Sequence, residues 1–306
     1  MLLGITEPSQ TTPACLGRFR NRRSSAKPSL SFGPLAKSNE SARRPRTAAS
    51  WYPGHMAAGS RAIQAIADLF DIVLEVRDAR LPSATAVADL HPRLRNKPRV
   101  VLLNREDLAQ PAWTRKWISF LGAERQAALS TTATHAGSLR SLRTAVRALA
   151  PKARLRVGVV GAPNTGKSSV INALARRKKA VAENRPGVTK HLRWIAIDDR
   201  IDVLDTPGIL EPRISDSTVA WQLALCGILP EAAYDPEEVI RAFLLWGASR
   251  KLQTLVGMDP ESFARARGML RRGGEIDRPN AARALMKTFR EGRLGRFTFE
   301  YPGETR

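Results

Sequence analysis

Eight residues near the middle of the chain, Gly161-Ala-Pro-Asn-Thr-Gly-Lys-Ser168, constrain its fold more than any other feature. A G-x-x-x-x-G-K-S run works as the turn between a buried strand and a helix. Its glycines let backbone N–H groups curl round phosphate oxygens, and the helix N-terminus adds a favourable field. Both flanks are present: Leu155–Val160 is a short apolar strand run, and helical sequence continues to about Arg177. Lys167 is then placed to reach β- and γ-phosphates and Ser168 to ligate Mg²⁺. Ala162, Pro163, Asn164, Thr165 and Gly166 line the loop, and Ser169 follows it.

Two further segments complete a phosphate site. Asp205-Thr-Pro-Gly208 ends the strand Ile201–Leu204. An acid there suits a Mg²⁺ position, and the Gly208 amide suits a γ-phosphate contact. Between the two motifs lies Pro186-Gly-Val-Thr189, whose Thr189 can close over Mg²⁺ and γ-phosphate. A base reader precedes them. Asn104-Arg-Glu-Asp107 follows the strand Arg99–Leu103 and has the form N-[KR]-x-D. The Asp107 carboxylate can accept two hydrogen bonds from guanine N1 and N2, which adenine does not offer, with Asn104 bracing the loop. Arg105 stands where this motif usually has Lys, and its stem can stack on the base. Ser130, after the weaker strand Gln126–Leu129, is the candidate partner loop for guanine O6.

In ordinary small GTPases the base motifs follow the phosphate loop; here they precede it. The order therefore predicts an α/β fold, a circularly permuted P-loop GTPase domain over residues 51–212 with a mostly parallel sheet covered on both faces. Ile63, Ile66, Ala67 and Phe70 share one helix face, Asp71–Val76 is a strand, a helix spans about Ser138–Ala148, and Arg193–Ile197 pairs with Ile201–Leu204. After Pro212 the periodicity turns helical: Val239, Ala242, Phe243 and Trp246 form one face, Asp259-Pro260 reads as an N-cap and first helical position, and Ala281–Phe289 is a further helix. Phe297-Thr-Phe299 is the one late strand signal. Residues 213–306 are expected to be a small all-α domain.

The charge points to a polyanion. The chain has 50 Lys+Arg against 28 Asp+Glu, a net +22. Residues 1–50 carry 9 basic and 2 acidic residues, are rich in Ser and Pro, and show no hydrophobic period; they read as a disordered basic arm, an organelle transit peptide or a misassigned start. No secretory signal and no transmembrane run is evident. Cys15 and Cys226 are too few for a disulfide framework or a four-ligand zinc site. The Arg-rich stretch from Arg265 onward, with Arg267, Arg271 and Arg272, is the candidate RNA contact.

Trp51-Tyr-Pro-Gly-His-Met56, Asp78-Ala-Arg80 followed by Pro82, the permuted motif order, and Gly295-Arg-Phe-Thr-Phe-Glu300 together resemble the YlqF/RbgA family of ribosome-biogenesis GTPases, over residues 51 to about 302. The resemblance implies GTP hydrolysis coupled to late assembly of the large ribosomal subunit, with GTP/GDP and the rRNA of the subunit precursor as partners. It implies a cytoplasmic protein, or one of an organelle matrix if residues 1–50 are a transit peptide; a monomer is expected. Ile209 stands where small GTPases place a water-orienting Gln, so another group must serve. The resemblance offers His55 as the catalytic residue and Asn164 as a ligand for K⁺ beside the required Mg²⁺. The competing readings are an RNA-binding scaffold holding GTP structurally, a kinase or ATPase using the same loop, and a permuted GTPase of another ribosomal particle.

Overall fold

A computed structural model of the chain describes residues 66–87, 92–122, 126–135, 139–150, 152–175, 182–183, 194–206, 217–255 and 258–303. The basic arm, the segment containing His55, the loop containing Thr189, the residues Pro207–Ile209 and the expected boundary near Pro212 lie outside them.

Among the described residues, seven strands form one sheet: β1 (Ile72–Asp78), β2 (Arg99–Asn104), β3 (Gln126–Thr131), β4 (Leu155–Val160), β5 (Ala182–Glu183), β6 (Trp194–Ala196) and β7 (Ile201–Asp205). Their spatial order is β3-β2-β1-β4-β7-β6-β5. The ladders β1–β2, β2–β3, β1–β4 and β4–β7 are parallel, while β6 and β5 add antiparallel pairs at one edge. The pleat alternates the strand residues between two cores. Ile72, Leu74, Val76, Val100 and Leu102 face one side, where α2 (Arg140–Leu149) and α3 (Lys167–Ala175) bury Leu142, Val146, Val170 and Leu174 against them. Val73 and Val160 face the other side with Phe70 and Leu94, and Val101 and Leu103 meet Trp117 of α1 (Pro111–Leu121). The fold is the expected permuted, mostly parallel P-loop architecture. Helix α1 is an addition to the sequence reading, and Ala67–Leu69 forms a 3₁₀ turn at the end of the expected Ile63–Phe70 face.

The centre of the sheet, between β1 and β4, is where the direction of winding reverses. The crevice at the carboxyl ends of strands flanking such a reversal is the general ligand position of open α/β sheets. Asp78, Asn104, Gly161 and Asp205 all stand there, at or just after the ends of β1, β2, β4 and β7.

Four α-helices follow among the described residues: α4 (Ser217–Leu225), α5 (Pro236–Ser249), α6 (Pro260–Ala266) and α7 (Arg278–Arg290). Asp235, Asp259 and Asp277 cap the last three, each accepting a first-turn amide, with Pro at the first or second helical position. Phe243 is the hub of their core, with the rings of Trp221, Trp246, Phe289, Phe297 and Phe299 around it. That core also contains Leu81 and Ala162, so the helices pack onto the loops after β1 and β4.

Phe297-Thr-Phe299 is not a strand. The segment is extended and alternates sides, but it crosses between the two halves instead of joining a ladder. Phe297 and Phe299 enter the aromatic core. Their amides donate to the carbonyls of Leu108 and Arg80, both at 3.0 Å. Thr298 Oγ1 accepts from the Gln110 amide at 3.1 Å, and the Glu300 carboxylate accepts from the amides of Ser83 and Ala84.

Candidate nucleotide site

The phosphate loop is shaped by its backbone. Gly161 (φ +150°) and Gly166 (φ +93°) are glycine for contact as well as conformation. A Cβ on Gly161 would strike the Val76 carbonyl oxygen, and one on Gly166 would strike Asn104 Nδ2. Asn164 takes the left-handed region at φ +57°, which Asn tolerates. Lys167 is buried and its ammonium donates to the carbonyls of Gly161 (3.2 Å) and Ala162 (2.9 Å), inside the curl where phosphate oxygens would be held. Burial pushes its pKa down to about 8, against the opposing charge of Asp205.

Ser168 Oγ donates to Asp205 Oδ2 at 3.1 Å, although 37 residues separate them. A hydroxyl and a carboxylate meeting at the mouth of the loop are the hard oxygen donors that Mg²⁺ takes, with the remaining positions left to water and phosphate. The donor set therefore fits the ion that a P-loop GTPase uses with its nucleotide. Both residues are exposed, and Ser169 lies on the first turn of α3.

The candidate base reader is tied to the phosphate loop. Asn104 is buried; its Nδ2 donates to the Thr165 carbonyl at 2.9 Å, and its Oδ1 accepts from the Ala133 amide at 3.2 Å. One side chain thus joins the loops after β2, β3 and β4. Asp107 is exposed on the 3₁₀ turn Glu106–Leu108 and accepts from Thr132 Oγ1 at 3.1 Å. Strand β3 runs further than its apolar residues suggest, so Ser130 lies one residue inside it, opposite Leu103. Thr132 and Ala133, which the sequence reading did not single out, make the contacts to the base loop.

Arg105 is left-handed (φ +62°), and both terminal nitrogens of its guanidinium are engaged. It donates to the Asn164 carbonyl (2.8 Å), Asp78 Oδ2 (3.0 Å) and the Cys226 carbonyl (3.3 Å). Arg80 donates twice to Asp78, from Nε (2.9 Å) and Nη2 (2.7 Å), and from Nη2 to the same Cys226 carbonyl (3.2 Å). Burial alone would push the Asp78 carboxyl up; the charge and hydrogen bonds of Arg80, with the charge of Arg105, carry it down to about 2. Burial pushes the Cys226 thiol up to about 12, so it stays protonated.

The two halves of the molecule meet at this cluster. Gly227 ends α4 with φ +77°, and Arg290 of α7 caps the helix by donating to the carbonyls of Ala224 and Leu225. Asn164 Nδ2 reaches the Ile228 carbonyl at 3.5 Å. The result is a cleft of about 520 Å³ whose walls include the phosphate loop on one side and Cys226, Gly227 and Arg290 on the other. Arg265, Arg267, Arg271 and Arg272 lie elsewhere and are all exposed. A Leu270–Ile276 bridge closes a short hairpin with Arg271 and Arg272 at its turn; Arg271 pairs with Asp277 at 3.3 Å, and Arg267 lies over the Phe263 ring at 4.3 Å.

Residues 156–254 match the family described as "50S ribosome-binding GTPase". The chain is 36% identical over 257 residues to Ribosome biogenesis GTPase A of Thermotoga maritima, covering 83% of this chain and 94% of that one. It is 32% identical to the protein of the same name from Priestia megaterium, covering 83% and 97%. It is also 36% identical over 213 residues to Short integuments 2, mitochondrial, of Arabidopsis thaliana, covering 64% and 55%. Among solved structures it is similar to GDP-bound TM YlqF, with a TM-score of 0.63 and 31% identity over 80% of this chain and 100% of that one. GNP-bound YlqF from T. maritima gives 0.62 and 30%, covering 80% and 98%.

Proposed function

The chain belongs to the ribosome biogenesis GTPase A (YlqF/RbgA) family and hydrolyses GTP, and from that premise we propose that it is a late assembly factor of the large ribosomal subunit whose nucleotide state controls association with the particle and release from it. The observation that carries the control is the Cys226 carbonyl. It accepts from Arg80 and Arg105, whose other partners are Asp78 and the phosphate-loop residue Asn164. A change in the phosphate loop is thereby delivered to the end of α4 and the helical half behind it. Sedimentation with ribosomal subunits in GTP analogue, GDP or no nucleotide tests this. Pelleting with the large-subunit precursor in one nucleotide state alone is expected; equal pelleting in all three would overturn the gating.

In this reading Asp107 selects guanine, with the Arg105 stem under the base and the Ser130–Ala133 turn near O6. Lys167 and the loop amides hold the phosphates. Ser168 and Asp205 bind Mg²⁺ together with Thr189, and Gly208 meets the γ-phosphate. Ile209 leaves water positioning to His55. Asn164 supplies K⁺ with its amide oxygen, since its Nδ2 is turned to the Ile228 carbonyl. The exposed arginines Arg265, Arg267, Arg271 and Arg272 contact rRNA phosphates, the last two from the turn closed by the Leu270–Ile276 bridge. The protein works as a monomer in the cytoplasm. A second location, an organelle matrix, is supported by the likeness to a protein named as mitochondrial and by the basic residues 1–50. No helix among the described residues is long and apolar enough to cross a membrane.

A further inference from the structure

A second surface has the makings of a nucleic-acid site, away from the nucleotide cleft and apart from the arginine hairpin. Five side chains, three rings and two cations, stand in contact one after another across the seam between the sheet domain and the helical half. Lys116 Nζ lies 4.2 Å from the centre of the Trp113 ring, and Trp113 meets Tyr301 edge-on at 4.3 Å. Arg250 then lies over both Tyr301 (5.1 Å) and Trp246 (5.2 Å), and its Nη1 donates to the Tyr301 hydroxyl at 3.0 Å. Lys116 and Arg250 are exposed, and the three rings are partly so.

Trp246 forms the edge of the aromatic core, whereas packing accounts for the rings beside Trp113 and Tyr301 and not for these two. Trp117, one turn on from Trp113, is buried, and its Nε1 donates to the Glu300 carbonyl at 3.0 Å. Phe299, two residues before Tyr301, is buried in the aromatic core. Trp113 and Tyr301 keep surface that their neighbours have lost. Two of the three segments that build the row carry charge of one sign; on the third, Tyr301 follows Glu300, whose carboxylate is turned to the Ser83 and Ala84 amides. Helix α1 carries Arg115 and Lys116 and no acid; the stretch from Leu244 to Gln253 carries Arg250 and Lys251 and no acid. None of these four cations has an ion-pair partner among the described residues. Half-exposed rings with unpaired cations on their faces match a strand whose bases stack while its phosphates are neutralised.

We propose that Trp113, Tyr301 and Trp246, with Lys116 and Arg250, form a stacking platform for unpaired bases of single-stranded RNA. The bases displace the cations from the ring faces, and the cations move to the adjoining phosphates. The platform draws on the reading above only in taking the natural strand to be ribosomal.

The test uses the full chain, a fluorescein-labelled oligouridylate too short to fold, and anisotropy over a range of salt. Trp113→Ala and Tyr301→Ala are each expected to weaken binding about tenfold with the salt slope unchanged. Trp113→Phe restores most of it. Lys116→Ala and Arg250→Ala are each expected to reduce the salt slope by about one. GDP affinity, measured on the same samples, reports that each variant is folded. Wild-type affinity in the Trp113→Ala, Tyr301→Ala double variant overturns the platform, as does equal affinity of the wild type for polyglutamate. The two readings fail separately. Sedimentation with subunits but no oligouridylate binding removes the platform alone; oligouridylate binding with no sedimentation removes the assembly role alone.

Discussion

The amide of Asn104 donates to the carbonyl of Thr165 across 2.9 Å, joining two motifs that are 61 residues apart and in reversed order along the chain. The same side chain accepts from Ala133, so it fixes the base loop, the phosphate loop and the turn after β3 relative to one another. Asn104→Ala leaves a buried carbonyl and a buried amide unpaired, at about 1–3 kcal/mol each. The affinity for GDP is expected to fall by about ten- to a hundredfold, with a lowered unfolding midpoint. Calorimetric titration checks this, and wild-type affinity in the variant would show that the brace is dispensable.

Arg105→Lys separates two tasks. A single ammonium can reach the Asn164 carbonyl, but it cannot also hold Asp78 and the Cys226 carbonyl as the planar guanidinium does. GTP affinity is expected to change by no more than about threefold, since the alkyl stem is retained. Two bonds from a half-buried group are lost, about 1–2 kcal/mol of stability. The distinguishing readout is amide exchange at Cys226–Leu229, which should become faster and cease to respond to nucleotide. Exchange that still follows the nucleotide would place the coupling elsewhere.

Lys167 makes nucleotide affinity depend on pH. Burial holds its ammonium at about 8, while bound phosphate favours the charged form and so raises the pKa. Below about pH 8 the lysine is already charged and affinity is flat. Above it, binding must take up a proton, and affinity should fall about tenfold per pH unit until the pKa of the bound form is reached. Proton uptake is measured by calorimetry in buffers of different ionisation heat. Asp205 opposes the shift, so Asp205→Asn, assayed with GDP without Mg²⁺, should move the break to lower pH. A break that stays in place would show that burial alone sets it.

These residues also show what could be read in advance. Gly161–Ser168, Asn104, Asp107 and Asp205 stand in motifs defined by local spacing, and the structure brings them to the carboxyl ends of neighbouring strands. Six of the sheet's strands were legible because each is a short apolar run; β5, the two residues Ala182-Glu183, carries no such run and was not. Helix α4 was not: Val219-Ala-Trp-Gln-Leu-Ala-Leu225 is apolar on nearly every side because it packs on most of its surface, which erases the 3.6-residue period. Helix α1 does carry a signal in the sequence, Pro111 at its start and Trp113, Trp117 and Leu121 four apart. Phe297-Thr-Phe299 has true period-two alternation, but periodicity records which side each residue faces, not whether a strand partner lies alongside. The Arg80–Asp78–Arg105–Cys226 cluster joins residues as far as 146 positions apart, which no local pattern reveals.

Asp78 is the last member of that cluster and the most exacting. It is fully buried, receives Arg80 through two nitrogens, and also accepts from the Arg80 amide and from Arg105. With its carboxyl at about 2 against the ordinary 3.8, its contribution to stability is complete above about pH 4 and is lost only as pH falls through about 2. The pair is therefore fixed throughout the neutral range, and pH between about 5 and 8 should not act on the interdomain contact through it. Asp78→Asn removes the charge but keeps the shape. It leaves the Arg80 guanidinium buried and uncompensated beside Phe289, at a cost of about 3–5 kcal/mol. Urea unfolding measures that loss. Adding Arg80→Leu to Asp78→Asn removes the stranded charge, so the double variant should be more stable than the single one while still failing to hold the Cys226 carbonyl. If the double variant is the less stable of the two, the cost of Asp78→Asn comes from lost hydrogen bonds rather than from an unpaired buried charge.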